Sequence, residues 1–305
     1  MKRARRWVAG IAVLVATGSC IEPAATAPPA AAIRPPAPRP QIRPAMRPPG
    51  DFALSGNLSQ GGLVLGQVSA GTVALALDGA PVAVAPDGRF VIAFDRDAGA
   101  AATLVATLDD GSTVVRTLSI APRAWSISRL SSLPKYPVSA PDFARIRPGE
   151  IAAINAARRI VGDAEGWRQS FLWPATGRIS TLFGSQRVYA NGEAGAYHSG
   201  VDIAVPQGTP VLAPADGVVT LAADHPFLLE GNLLLVDHGM RLESAFMHLS
   251  QILVAPGQRV RRGQVIAYSG ATGRVTGAHL HWSLRWRGAK IDPLLVAGPM
   301  PVAGR

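Results

Sequence analysis

The chain has 305 residues and a formal net charge of +10. Its single cysteine excludes an intramolecular disulfide, so the folded part must be held by its core and by whatever it binds. The basic residues are not interleaved with aromatics, which argues against a nucleic-acid partner. Residues 1–19 read as a signal peptide. Lys2, Arg3, Arg5 and Arg6 precede an apolar run from Trp7 that is too short to stay in a bilayer as a spanning helix. Removing the four basic groups of this leader leaves a net charge of +6.

Thr17-Gly18-Ser19-Cys20 resembles a bacterial lipoprotein cleavage site, although an aliphatic residue is usual where Thr17 stands. The expectation is export with lipidation at Cys20; cleavage with release, or an uncleaved anchor, are the alternatives. Residues 20–50 are rich in Pro, Ala and Arg, as in Arg34-Pro-Pro-Ala-Pro-Arg-Pro40. Proline removes backbone donors and fixes φ, so this stretch reads as a disordered, polyproline-like tether reaching up to ~90 Å. Its arginines suit anionic lipid headgroups or acidic wall peptides, or simply keep a spacer open.

Residues 51–122 change to short runs of period two: Val73/Leu75/Leu77, Val82/Val84, Phe90/Ile92/Phe94 and Val114/Arg116/Leu118. Asp78-Gly79, Asp87-Gly88 and Asp110-Gly111 fall between them and read as hairpin turns. A small β-sandwich with no evident site of its own is expected. Residues 123–172 connect it onward. Within them Pro148 to Val161 reads as one helix, with Pro148 in the first turn, Glu150 at the positive end and Gly162 as the stop. Ile151, Ile154 and Val161 would form its packing face, against a neighbouring domain or over a groove. Residues 173–296 alternate short β runs with Gly and Pro: Thr209–Ala213, Gly217–Leu221, Asn232–Val236, Gly263–Tyr268 and His279–Leu284. The fold class is therefore mainly β: a sandwich, a short helical linker and an antiparallel β-sheet domain, with residues 297–305 as a tail.

In this last domain lie His198-Ser-Gly-Val-Asp202, His248 and His279-Leu-His281. His279 and His281, two apart on a strand, would share one face while Leu280 enters the core. Two imidazoles with a further His and an Asp make the mixed N/O set that Zn²⁺ takes. On a straight strand His198 and Asp202 would stand ~13 Å apart. Gly200 between them is expected to let the chain bend. A lone His-x-His is commonly structural; the combination favours a metal. His238 reads as a structural turn residue and His225 as surface, while Tyr189, Glu193 and Tyr197 are candidates for lining a groove.

These residues also carry a family resemblance. His198-Ser-Gly-Val-Asp202, Ala215-Asp-Gly-Val218, Met247-His-Leu-Ser250, Gly270-Ala-Thr-Gly273 and Thr276-Gly-Ala-His-Leu-His281 are similar, in order and spacing, to the motifs of the lysostaphin/LytM-type zinc metallopeptidases. Ala278 departs from the family's usual proline. The resemblance implies a LytM-like peptidase that cuts peptide cross-links in bacterial peptidoglycan. It implies one Zn²⁺ held by His198, Asp202 and His281, with His248 and His279 as the catalytic pair. An envelope or periplasmic location, a D-alanyl-diaminopimelyl bond as target and membrane contact through a lipid anchor follow from context and family. The alternatives are a non-catalytic activator of other wall enzymes and a biotin- or lipoyl-carrier fold. The carrier fold needs a lysine, and none lies between Lys135 and Lys290.

Overall fold

The structure is a computed structural model and describes residues 52–129 and 141–301, with the side chains of Pro141 and Asp142 left aside. The expected signal peptide, Cys20 and the tether of residues 20–50 lie outside the described residues. No described helix is long and apolar enough to cross a membrane.

Seven strands come first: β1 (Ala53–Gly56), β2 (Leu63–Gln67), β3 (Thr72–Leu77), β4 (Ala80–Pro81), β5 (Arg89–Ala93), β6 (Ala101–Leu108) and β7 (Thr113–Ser119). They form a three-stranded sheet, β1-β2-β5, and a four-stranded sheet, β4-β3-β6-β7. Phe90, Ile92, Leu104 and Leu118 are buried in their core. Asp78-Gly79 makes the tight turn between β3 and β4, with both residues at positive φ. Asp110-Gly111 turns β6 into β7. Asp87-Gly88 is different from expectation: the β5 strand after it pairs with β2, so this turn passes the chain from one sheet to the other. Val82 and Val84 are not in a strand. Val73 is 66% exposed, because a bulge between Thr72 and Ala74 shifts the register and puts it on the outer side.

After β8 (Ile127–Arg129) comes α1 (Pro141–Arg159), which begins at Pro141 and carries Pro148 in its interior. An interior proline costs about 3 kcal/mol, and tertiary contacts on both sides of it offset that cost. Arg147 reaches both carboxylate oxygens of Glu230, at 2.6 and 2.7 Å, and Glu150 accepts the Leu228 N–H at 2.7 Å. Of the three expected packing residues only Ile154 is buried; Ile151 and Val161 are exposed. Ile154 and Ala157 pack on Phe227, Leu233, Leu235 and Ala245.

The remaining strands are β9 (Arg178–Thr181), β10 (Gln186–Val188), β11 (Val201–Ala204), β12 (Pro210–Leu212), β13 (Gly217–Ala222), β14 (Asn232–Asp237), β15 (Leu242–Leu249), β16 (Gln251–Ile252), β17 (Arg259–Val260), β18 (Val265–Tyr268), β19 (Leu280–Trp286) and β20 (Ala289–Ile291). An eight-stranded antiparallel sheet runs β17-β13-β14-β15-β19-β11-β9, with β20 on β19. A three-stranded sheet, β12-β18-β16, belongs to the same half of the chain. Alternation along β19 puts Leu280, Trp282, Leu284 and Trp286 into the core, all 6% exposed or less. Each such large side chain contributes ~1.5–3 kcal/mol by leaving water. The other face of β19 carries His281, Ser283 and Arg285, opposite Met247, Ala245 and Glu243 of β15. Helix α1 lies on this second face, over Ala245.

The sandwich is fastened to the larger sheets by polar contacts that are at least partly buried. Arg123 pairs with Asp292 at 2.7 Å, and Asp95 accepts from Tyr197 Oη at 2.6 Å and from the Lys290 N–H at 2.9 Å. Arg96, 6% exposed, donates to the Gly184 carbonyl and lies over Trp125 and Tyr197. Asp292 also caps α2 (Pro293–Ala297) by accepting the Leu294 N–H.

Candidate active site

The edge of the second sheet face gathers four histidines and one aspartate. Asp202 on β11 lies directly across from His281 on β19, and His281 lies across from Met247, so His248 follows at the end of β15. His279 sits just before β19 and bridges to Gly270. His198 precedes β11. Gly200, between His198 and Asp202, is not at positive φ; what it supplies is space. A Cβ there would stand 2.2 Å from the Trp282 carbonyl oxygen, so only glycine lets this segment pass so close to β19. The close passage turns the expected ~13 Å of a straight strand into contact.

His198 Nε2 lies 3.0 Å from Asp202 Oδ1 and 3.0 Å from His281 Nδ1, and His281 Nδ1 lies 2.8 Å from Asp202 Oδ1. These three residues are a group whose donor atoms could hold one metal ion. His198 Nδ1 donates to the Leu182 carbonyl at 3.1 Å. A carbonyl only accepts, so the proton is on Nδ1 and Nε2 presents a lone pair. A single proton between His281 and Asp202 satisfies one contact and leaves His198 Nε2 facing two acceptors. The arrangement fits a shared cation at the centre, and ligands at ~2.0–2.1 Å around Zn²⁺ would stand only slightly farther apart. Burial works to raise the Asp202 carboxyl, but the bonds from His198 and His281 overcome it and hold the group well below the usual carboxylate range. Burial pushes His281 down, and its Nε2 is buried without a partner among the described residues.

The other two histidines stand beside this group. His279 Nε2 is 3.6 Å from Asp202 Oδ1, and its Nδ1 donates to the Gly277 carbonyl at 2.9 Å. His248 and His279 have ring centroids 4.8 Å apart. His248 Nδ1 donates to the Thr272 carbonyl at 2.9 Å, and its backbone N–H to the Glu230 carbonyl at 2.8 Å. These contacts hold His248 at φ +63°, a left-handed conformation that costs a non-glycine residue about 1–3 kcal/mol. Burial, more than the nearby His281 and His279, pushes it down to about 4. It is therefore neutral at pH 7, with its Nε2 as an acceptor.

Other candidates lie elsewhere. His238 is fully buried, with its ring nitrogens at 2.8 Å from the Asp216 carbonyl and from Ser244 Oγ, a structural placement. His225 is exposed and, among the described residues, contacts Asp224 and Phe227. Tyr197 turns toward Asp95 of the sandwich rather than toward the histidines. The Tyr189 N–H closes a turn on the Glu193 carbonyl. No motif pointed to Arg147 and Glu230. Their pair fixes the loop whose carbonyl holds His248, a link visible only in three dimensions.

The pattern of peptidase family M23 matches residues 196–293, the span containing all five clustered residues. These residues carry a peptidase M23 domain. Over 123 residues the chain is 44% identical to peptidoglycan DD-endopeptidase ShyA of Vibrio cholerae, covering 40% of this chain and 28% of that protein. Over 124 residues it is 42% identical to DD-carboxypeptidase/endopeptidase Mpg of Neisseria meningitidis, covering 41% of this chain and 28% of the relative. The chain thus spans little more than a quarter of the length of these relatives. A Pseudomonas aeruginosa crystal structure described as a peptidase M23 superposes with a TM-score of 0.61 at 28% identity, over 79% of this chain and 96% of that one. That breadth takes in the sheets outside the M23 domain as well.

Proposed function

We propose that the protein is a zinc-dependent endopeptidase that hydrolyses peptide cross-links of bacterial peptidoglycan. The observation that carries this reading is the meeting of His198 Nε2, Asp202 Oδ1 and His281 Nδ1 within 3.0 Å of one another. We assign these three residues as ligands of one Zn²⁺. Zinc, when bound, supplies Lewis acidity to a scissile carbonyl and acidifies water.

The chain's own groups do the rest. His198 is held in the ligand-competent tautomer by the Leu182 carbonyl, and His248 is held in its own by Thr272. His248 and His279, both with Nδ1 tied to a backbone carbonyl, divide two roles between them. One orients and deprotonates the attacking water; the other donates to the oxyanion that develops on the substrate. The carbonyl ties keep both rings in place, so little reorganisation is needed during reaction.

ShyA is named as a DD-endopeptidase, and by that likeness the bond cut here is of the D-alanyl-diaminopimelyl class. Such a substrate requires export, in line with the signal-peptide reading of residues 1–19 and with lipidation at Cys20 as a membrane tether. Metal analysis of the purified chain and mass analysis of digested sacculi test the whole reading. About one zinc per chain and release of uncross-linked muropeptides, both lost on chelation, are expected. Intact cross-links after incubation with the zinc-loaded protein would refute it.

A further inference from the structure

A cleft of about 1010 Å³ opens at the end of the β15–β19 pair away from the histidines. Arg285 and Glu243 line it, four residues along their strands from His281 and Met247, or ~13 Å. Helix α1 covers Ala245 between the two places. Arg158, Arg159, Arg241, Arg285 and Arg287 all contribute to the cleft, against two carboxylates, Asp237 and Glu243. Those carboxylates are engaged. Asp237 accepts the N–H groups of Gly162 and Gly239, and Glu243 accepts Arg158 Nε at 3.0 Å. Arg287 donates to the Pro81 carbonyl and lies over Trp286. Arg159, Arg241 and Arg285 make no hydrogen bond or ion pair with any described residue, and of these three Arg285 is half-buried while Arg159 and Arg241 are exposed to water. A guanidinium has five donors in a fixed fork, and leaving them unmet away from water is unfavourable. Thr220 lines the same floor with its buried hydroxyl unpartnered among the described residues.

We propose that this cleft binds an acidic oligopeptide from another molecule, with one carboxylate seated on Arg285 and flanked by Arg241. The volume exceeds what a single ion fills and matches a ligand of several residues. Carboxylate geometry suits the guanidinium fork. Exposed Ile160 and Val161 give the cleft an apolar lip for the peptide's side chains. Arg285 is recessed, so a flat lipid surface would meet only the outer arginines. The segments outside the described residues, 1–51, 130–140 and 302–305, hold two acidic residues, Glu22 and Asp51, too far apart to make an acidic run. This binding is independent of the hydrolysis proposed above.

The test is fluorescence anisotropy of the full chain with labelled tetraglutamate, with inorganic phosphate and phosphatidylglycerol vesicles as competitors. Saturable, salt-sensitive binding is expected, weakened about tenfold or more by Arg285→Gln. Arg241→Gln, an exposed change that leaves the fold intact, should weaken it about threefold. Chelation should leave it unchanged, which separates this site from the histidine cluster. Absence of saturable binding, equal affinity in both variants, or loss on chelation would overturn the proposal. So would displacement by vesicles at lipid concentrations where phosphate has no effect, since the ligand would then be a membrane.

Discussion

The two ends of the β15–β19 pair present opposite problems. At the His281 end, acceptor atoms of His198, Asp202 and His281 crowd within 3.0 Å of one another and call for a cation. At the Arg285 end, arginines outnumber carboxylates and the half-buried Arg285 guanidinium, though attracted by Glu243 and Asp95, makes no hydrogen bond or ion pair with any described residue, which leaves room for an anion. Neither end is balanced by protein groups alone, and both lie on the same sheet face with α1 between them. The comparison shows how one antiparallel pair, by alternation alone, can present two sites of opposite sign while its other face builds the core.

The largest expected effect breaks the cation end. His281→Ala or Asp202→Ala should lose bound zinc and lower muropeptide release by on the order of a thousandfold or more. Zinc content and product mass measured together would expose a variant that keeps its metal. His279→Ala should keep the metal and lose turnover by roughly 10²–10⁴-fold. Zinc loss in this variant as well would mean that His279 is a ligand and that the roles assigned to the histidines are wrong.

His238 sharpens the comparison, being a histidine buried without any call for an ion. Burial pushes it from 6.5 down to about 4. The unfolded chain therefore takes up a proton that the folded chain refuses. Stability contributed by this residue is complete above pH 6.5 and is lost as pH falls toward 4, by about 3 kcal/mol. Denaturant melts of the wild type and His238→Gln across that range should show a flatter pH dependence in the variant. Parallel curves would contradict the burial argument.

The smallest effect concerns the link through α1. Arg147→Ala frees Glu230, whose carbonyl receives the His248 N–H and helps keep it at positive φ. We expect kcat to fall about tenfold with zinc content and KM unchanged, the mark of a positioning residue. A rise in KM alone would instead place Arg147 in substrate binding.

Much of this was readable in the chain, and the failures have particular causes. Period-two runs marked β3, β5 and β7, and short β runs marked β13, β14 and β19, because strand patterning is local. His279 and His281 were readable together for the same reason. Val73 broke the pattern because a bulge depends on the partner strand. The helix start at Pro148 was misplaced because ion pairs to Glu230, far away in sequence, outweigh a local proline rule. Gly200 was recognised as necessary but for the wrong reason, since its neighbour is the Trp282 carbonyl on another strand.

By itself the sequence determined the mainly β character, the order of the motifs and the five side chains that gather, because short-range alternation and residue chemistry are written locally. Only the tertiary structure decided which ring nitrogen of His198, His248 and His279 faces a carbonyl, why His248 is strained and where Arg285 is left without a hydrogen bond or ion pair among the described residues. Those outcomes depend on cross-strand register and on carbonyls contributed by distant loops, which no local pattern encodes.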